Sequence, residues 1–380
     1  WGRVGNSQIS GRRFAYLATV TDSSSTSYTF GKNMDQNYGT TAIDEYAVDV
    51  TWEVADKTDI GVDMRLLNNK LNLQFDYFKE SRKGIYLRRS SIPSYVGMIN
   101  NPYGNIGKVE NKGFELSVNY ANSWGGDWSL SLMGNYSFNR NKVLEDDSTV
   151  VYPWQNTIGN KVGQRFGLVA LGLFDSYEEI AASPVQTGDT RPGDIKYKDV
   201  NGDGKIDEYD KVPIGWGSVP EIMYGFGFSV GWKNLSLTAM FQGAAHVDAM
   251  LSGEGVLPFS QGSSRGNLLS NITDRWTEEN PRQNAFYPRL SIGNINMNYE
   301  ESTWWLKDTD YLRLKNIELS YRLPDHWMKR IHLDNARIFI QGVNLLTFSS
   351  FKIWDVELGD GRGARYPNIA SVSLGVNFNF

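Results

Sequence analysis

The 380-residue sequence carries 12 Trp, 20 Tyr, 18 Phe and 38 Gly, no cysteine, and a net charge of −5. The missing thiols exclude a disulfide-stapled scaffold and a thiolate zinc centre, and the mild, dispersed charge leaves no basic stripe for nucleic acid. Mean hydropathy is −0.42 and no apolar run approaches the ~18 residues of a membrane-crossing helix, which excludes a helical membrane protein but not a membrane β-barrel, whose strands alternate lipid-facing and water-facing residues.

The chain opens Trp1-Gly2-Arg3-Val4-Gly5-Asn6. It has no initiating Met and no signal peptide, and reads as a fragment or mature piece whose first residues, up to Gly5, end a strand. Between 59 and 66, Ile60, Val62, Met64 and Leu66 alternate with Gly61, Asp63 and Arg65. After a turn at Asn68-Asn69-Lys70, the residues Leu71, Leu73, Phe75 and Tyr77 alternate with Asn72, Gln74 and Asp76. This period of two predicts a half-apolar antiparallel hairpin.

The pattern repeats along the chain. Phe114, Leu116, Val118 and Tyr120 precede a Gly125-Gly126 turn, and Trp128, Leu130, Leu132 and Tyr136 follow it. Tyr224, Phe226, Phe228, Val230 and Trp232 meet Leu235, Leu237, Ala239 and Phe241 across Lys233-Asn234. Val372, Leu374, Val376, Phe378 and Phe380 close the sequence. A soluble sandwich would alternate in the same way. Three features favour a barrel: a Gly/Ser/Asn/Asp/Gln face suited to a wet lumen, strands of roughly ten residues or more, and tight turns alternating with long loops. The long insertions fall near 6–50, 91–108, 141–220, 243–303 and 348–368. Trp124, Trp128, Trp232 and Trp327 sit at the tight-turn side as an interfacial girdle would, although Trp also packs at hairpin ends. The expectation is an all-β, antiparallel transmembrane β-barrel with long extracellular loops. About ten strands lie in this chain, too few for loops of this size, so the barrel is incomplete.

Two loop motifs bear on chemistry. Asp199-Val200-Asn201-Gly202-Asp203-Gly204-Lys205-Ile206-Asp207-Glu208-Tyr209-Asp210 has the spacing of an EF-hand-type loop. Asp199, Asn201, Asp203, the carbonyl of Lys205, Asp207 and Asp210 are its oxygen donors, and a structural Ca2+ stapling an extracellular loop is the expected occupant. Asp210 stands where a bidentate Glu is usual, as in dockerin-like loops, and an ordinary Asp/Asn/Gly turn explains the same residues without metal. Gly262-Ser263-Ser264-Arg265-Gly266 fits the nucleophile-elbow pattern, but its polar neighbours provide neither the strand nor the helix that an elbow needs. His246, His326 and His332 are scattered and lack metalloprotease spacing. No catalytic residue is assigned. Outer-loop aromatics, among them Trp154, Tyr287, Trp304, Trp305 and Trp354, either pack loops together or contact a partner or substrate; loop packing ranks first.

Several motifs in order resemble the SusC/RagA-like TonB-dependent transporters of Bacteroidetes. These are Val50-Thr51-Trp52-Glu53 with Asn68-Asn69-Lys70-Leu71, then Asn105-Ile106-Gly107-Lys108-Val109-Glu110-Asn111-Lys112-Gly113-Phe114-Glu115-Leu116. Next come Gly193-Asp194-Ile195-Lys196-Tyr197-Lys198-Asp199, Arg275-Trp276-Thr277-Glu278-Glu279-Asn280-Pro281, Tyr311-Leu312-Arg313-Leu314-Lys315-Asn316 and Gly375-Val376-Asn377-Phe378-Asn379-Phe380. Each is weak alone, but the ordered set spans the chain. The resemblance implies that residues 1–380 are the C-terminal part of a barrel of about 22 strands in the Gram-negative outer membrane. It further implies an N-terminal plug and barrel portion, and a TonB box for coupling to TonB, none of which lies in this sequence. A SusD-like lipoprotein would cover the mouth.

The implied function is active import of a large oligosaccharide or oligopeptide, with outer-membrane lipid around the barrel and no bond made or broken. Two alternatives remain at this level. One is a secreted soluble β-protein, either a glycan-binding module or a glycosidase with paired carboxylates. The other is an outer-membrane scaffold that transports nothing.

Overall fold

A computed structural model describes residues 1–7, 14, 16–32, 36–46, 49–260, 268, 270–330 and 334–379. Ten strands succeed one another in chain order across a single antiparallel sheet: β1 (Gly2–Asn6), β2 (Glu53–Leu66), β3 (Leu71–Arg88), β4 (Tyr103–Trp124), β5 (Trp128–Glu145), β6 (Ile222–Trp232), β7 (Leu235–Ala245), β8 (Tyr311–Arg322), β9 (Asn335–Ser349) and β10 (Ser371–Asn379). Such a meander is what alternating apolar and polar residues with turn residues at alternate junctions specify. Between β2 and β3, Leu67, Asn68 and Asn69 take left-handed backbone with φ of 55, 56 and 66°. Asparagine tolerates this conformation because its short side chain bonds locally. Gly125 and Gly126 do the same between β4 and β5 at 60 and 77°. The β8–β9 junction carries a short helix, Asp325–Arg330.

The remaining junctions are long, at 7–52, 89–102, 146–221, 246–310 and 350–370. Most boundaries lie within a few residues of the sequence reading, and two move further: the connection expected to end near 303 runs to 310, and β4 starts early. Residues 103–108, expected in a loop, begin β4, which runs for 22 residues beside β3 and β5 of 18 each. A tilted strand crosses the hydrocarbon with about 9–11 residues, so these strands continue well past it. Their extensions carry cross-strand ion pairs that belong in water: Lys57–Glu80 at 3.0 Å, Lys79–Glu110 at 2.8 Å and Lys108–Glu145 at 3.2 Å. The polar composition of 105–113 hid them, because apolar alternation marks only the lipid-facing part of a strand.

The chain forms two compact units. The first, residues 1–60, 78–113 and 140–162, holds β1, these ion-paired segments and an antiparallel hairpin of Thr19–Phe30 with Gln36–Glu45. The second, residues 61–77, 114–139 and 163–380, contains β6–β10 and a packed lobe built from the long connections. Its core is in that lobe. Leu168, Ile195, Tyr197, Ile206, Leu251 and Val256 are fully buried there.

The strands bury far less. Residues paired across strands project from one face, and register aligns Leu132, Phe228, Ala239, Ile317, Gly342 and Val372 across β5–β10. The next row is Leu130, Val230, Leu237, Leu319, Ile340 and Leu374. Leu132, Leu319, Ile340, Val372 and Leu374 are exposed. A soluble sandwich would bury such rows against a second sheet, and none of the described residues forms one over them. At the tight-turn end Trp128 and Trp232 are direct cross-strand partners with ring centroids 6.0 Å apart; with Trp124 and Trp327 they are exposed, as girdle residues are.

Candidate functional site

The opposite face of the same strands is polar. Ser131, Ser229, Thr238, Glu318, Gln341 and Ser373 align across β5–β10. Thr238 Oγ1 donates to Ser229 Oγ at 2.9 Å, and Arg337 Nη1 donates to Glu318 Oε1 at 2.7 Å. Further along this face a cavity of about 660 Å³ is lined by Ser117, Asn135, Ser137, Met223, Met240 and Gln242 from the strands. Glu357 reaches it from the 350–370 connection. Amides and hydroxyls exchange hydrogen bonds equally well with sugar hydroxyls and peptide groups, and methionines adapt to irregular apolar shapes. Alternation in the sequence marks this face but not the cavity, whose last wall comes from a distant connection.

Arg313 pins that connection. It lies opposite Gln242 in the β7–β8 register and its side chain is buried. Its Nη2 donates to Asp355 Oδ1 at 2.8 Å, its Nη1 to Glu357 Oε2 at 2.5 Å, and its Nε to Thr347 Oγ1 at 3.1 Å. Tyr311 Oη donates to Glu357 Oε1 at 3.1 Å. Burial works to raise the Asp355 carboxyl, but the bond from Arg313 and the Glu357 backbone N–H outweigh it, so the acid sits below its ordinary value. A depressed acid contributes stability above its unfolded pKa, about 4, and loses it as pH falls through the folded value. Limited proteolysis of residues 350–370 is therefore expected to quicken in acid, below about pH 4, in wild type but not in an Asp355→Asn variant. An unchanged cleavage rate across that range would remove Asp355 as the latch.

The aromatics named from the sequence divide by burial. Tyr287 and Trp305 are 0% and 1% exposed and belong to the lobe core, with Trp305 Nε1 donating to Asn298 O at 2.7 Å. Sealed rings offer no face to a ligand, so for these two the contact role gives way to loop packing. Trp304 and Trp354 are partly buried against the same core. Trp154, also half-buried, stacks on Tyr152 with centroids 4.6 Å apart.

The 199–210 loop closes on its own backbone. Asp199 accepts the N–H groups of Gly202 and Gly204 at 2.6 and 2.9 Å, Asn201 Oδ1 that of Asp203 at 3.0 Å, and Asp203 Oδ1 that of Lys205 at 2.9 Å. Asp207 Oδ1 accepts from Tyr209 N at 2.8 Å. Asp210, buried, accepts from Val200 N at 2.7 Å and Asp207 N at 2.9 Å. Among the described residues no three His, Asp or Glu side chains converge as metal ligands. Glycine is needed at 202 and 204, where φ is 76 and 82°. The serine motif at 262–266 and His332 lie outside the described residues. His246 stacks on Trp216 and bonds Glu221 through Nδ1 at 3.2 Å.

A sheet that shows lipid a continuous apolar face and shelters polar groups on the other defines a membrane-barrel wall. Residues 19–345 match the TonB dependent receptor-like β-barrel family, and the chain belongs to it, as part of an outer-membrane barrel. Among similar proteins, TonB-dependent receptor P3 of Formosa agariphila is 27% identical over 377 residues, covering 91% of this chain and 36% of the relative. TonB-dependent receptor SusC of Bacteroides thetaiotaomicron is 25% identical over 400 residues, covering 100% and 37%. The solved RagAB peptide transporter superposes with a TM-score of 0.69 at 21% identity, over 100% of this chain and 40% of that one. The chain thus spans little more than a third of these relatives' length.

Proposed function

We propose that this chain is part of the barrel wall of a TonB-dependent importer for a large oligosaccharide or oligopeptide, working with a SusD-like lipoprotein. The observation that carries this reading is the two-faced sheet: Leu132, Leu319, Ile340, Val372 and Leu374 of its apolar rows are exposed, while its polar face holds a cavity rich in amides and hydroxyls. The similar proteins supply the direction: one is a SusC and another a peptide transporter. Both substrate classes stay open, because the cavity's hydrogen-bonding groups suit either. The protein changes no bond. Its polar face keeps the passage hydrated, and the long connections narrow it. Deleting the gene should abolish uptake of the oligomer but not of its monomer, and a protonophore should mimic the deletion. Uptake that survives both treatments would mean passive diffusion and overturn the proposal. Affinity purification of the full-length protein should recover a SusD-like lipoprotein.

For the 199–210 loop we propose Ca2+ as ligand, supported by the spacing of Asp199, Asn201, Asp203, Lys205, Asp207 and Asp210. Calorimetric titration with Ca2+ tests it. Absence of binding at millimolar ion would leave the backbone-closed turn as the complete description.

A further inference from the structure

Lys307 lies in the short strand Leu306–Asp308, paired with Asp248–Met250 in the packed lobe of the second unit. Cavities of about 570 and 410 Å³ both border it, and both are also bordered by Phe286 and Asp274. Among the described residues its ammonium has no ion pair. What it faces is the Phe286 ring, whose centroid is 5.3 Å away. Nearby acids are engaged elsewhere. Asp274 Oδ1 accepts from Arg282 Nη2 at 2.6 Å, and Asp308 Oδ1 accepts from Asp310 N at 2.8 Å. Burial alone acts on Lys307 and pushes its pKa down.

A half-buried cation without a counter-ion is costly, and an arriving anion relieves that cost. Beside it, Trp304 borders the smaller cavity with Phe286, its ring held by a bond from Nε1 to Phe286 O at 3.2 Å. The smaller cavity has a single ammonium, Lys307, beside Asp274, which suits a monoanion better than a dianion because a second negative charge would meet that acid; Lys352 borders only the larger cavity.

We propose that Lys307 reads a carboxylate on the transported oligomer, while Phe286 and Trp304 pack against the apolar body beside it. This rests on the import reading and narrows its substrate to acid-bearing chains, either a peptide C-terminus or a uronic-acid saccharide.

The test uses the full-length transporter in detergent and two probe pairs: N-acetylated tetra-alanine as free acid or C-terminal amide, and tetragalacturonate or its methyl ester. In one pair the acid should bind about tenfold more tightly or better than its neutral twin. The responsive pair identifies the source of the carboxylate. Lys307→Met should bring the acid's affinity down to that of its neutral twin without lowering the melting temperature, since it removes an unpaired cation, and Lys352→Gln should preserve the preference. Equal binding within both pairs, no binding of either acid, or a preference surviving in Lys307→Met would each overturn the assignment. Failure of the import reading shows separately, as oligomer uptake unaffected by gene deletion.

Discussion

Replacing Leu132 by arginine is expected to cost about 2–4 kcal/mol of folding free energy in a bilayer, the cost of placing a guanidinium near the midplane on the lipid side. Leu132 lies four residues inward from girdle residue Trp128 and heads the row that runs through Phe228, Ala239 and Ile317 to Val372. Ser131→Arg is the matched control. It changes the neighbouring residue, on the same strand and at nearly the same depth, but projects to the opposite face beside Ser229. Because side chains alternate strictly along a strand, one residue decides between lipid and water. The Ser131 variant should fold within about 0.5 kcal/mol of wild type, as surface changes do. Urea titration of the full-length protein reconstituted in vesicles, read by heat-modifiable gel mobility, measures both. Equal costs for the two variants, or a greater cost for Ser131→Arg, would refute the assignment of faces.

Asp194→Ala should be similarly damaging, at about 3–5 kcal/mol, for a different reason: it strands a charge inside the lobe. Asp194 is buried, and Arg289 grips it with Nε at 2.9 Å and Nη2 at 3.0 Å. Asn298 Nδ2 at 2.9 Å, Asn296 Nδ2 at 3.1 Å and the backbone N–H of Arg191 at 2.9 Å complete its shell. Removing the acid leaves Arg289 unpaired and two amides short of an acceptor. Adding Arg289→Met to Asp194→Ala should recover part of the loss, since the second change removes the stranded cation. Protease resistance of the lobe against urea is the readout. A loss under about 1 kcal/mol, the scale of an exposed pair, would show that this network does not hold the lobe together.

The motifs that carry the family resemblance do architectural work. Gly193 adopts φ of +85°, and a Cβ there would fall 2.2 Å from the Trp276 ring, so the 193–199 and 275–281 segments meet at a glycine that no other residue replaces without displacing the indole. Asp194 is the next residue, and Arg313 of the 311–316 segment holds the 350–370 connection. Such residues account for the fold and reveal little about what the protein binds, because their partners are other parts of the protein.

Strand alternation, the tight turns at Asn68-Asn69, Gly125-Gly126 and Lys233-Asn234, and the places of the long connections could all be read from the chain alone. Each is set by neighbours a few residues apart: the pleat imposes a period of two, and left-handed turns select Asn and Gly. What lies inside the lobe could not be read so. Tyr287, Trp305 and Trp304 look alike as sequence, yet the first two are sealed and the third borders a cavity. Lys307 looks like any surface lysine until its unpaired setting is seen. Those outcomes turn on contacts such as Asp194 with Arg289, 95 residues apart, and Arg165 with Asp360, 195 apart. Only the folded chain brings these groups together, because burial and charge pairing are properties of what surrounds a residue in space, and local periodicity carries no record of that.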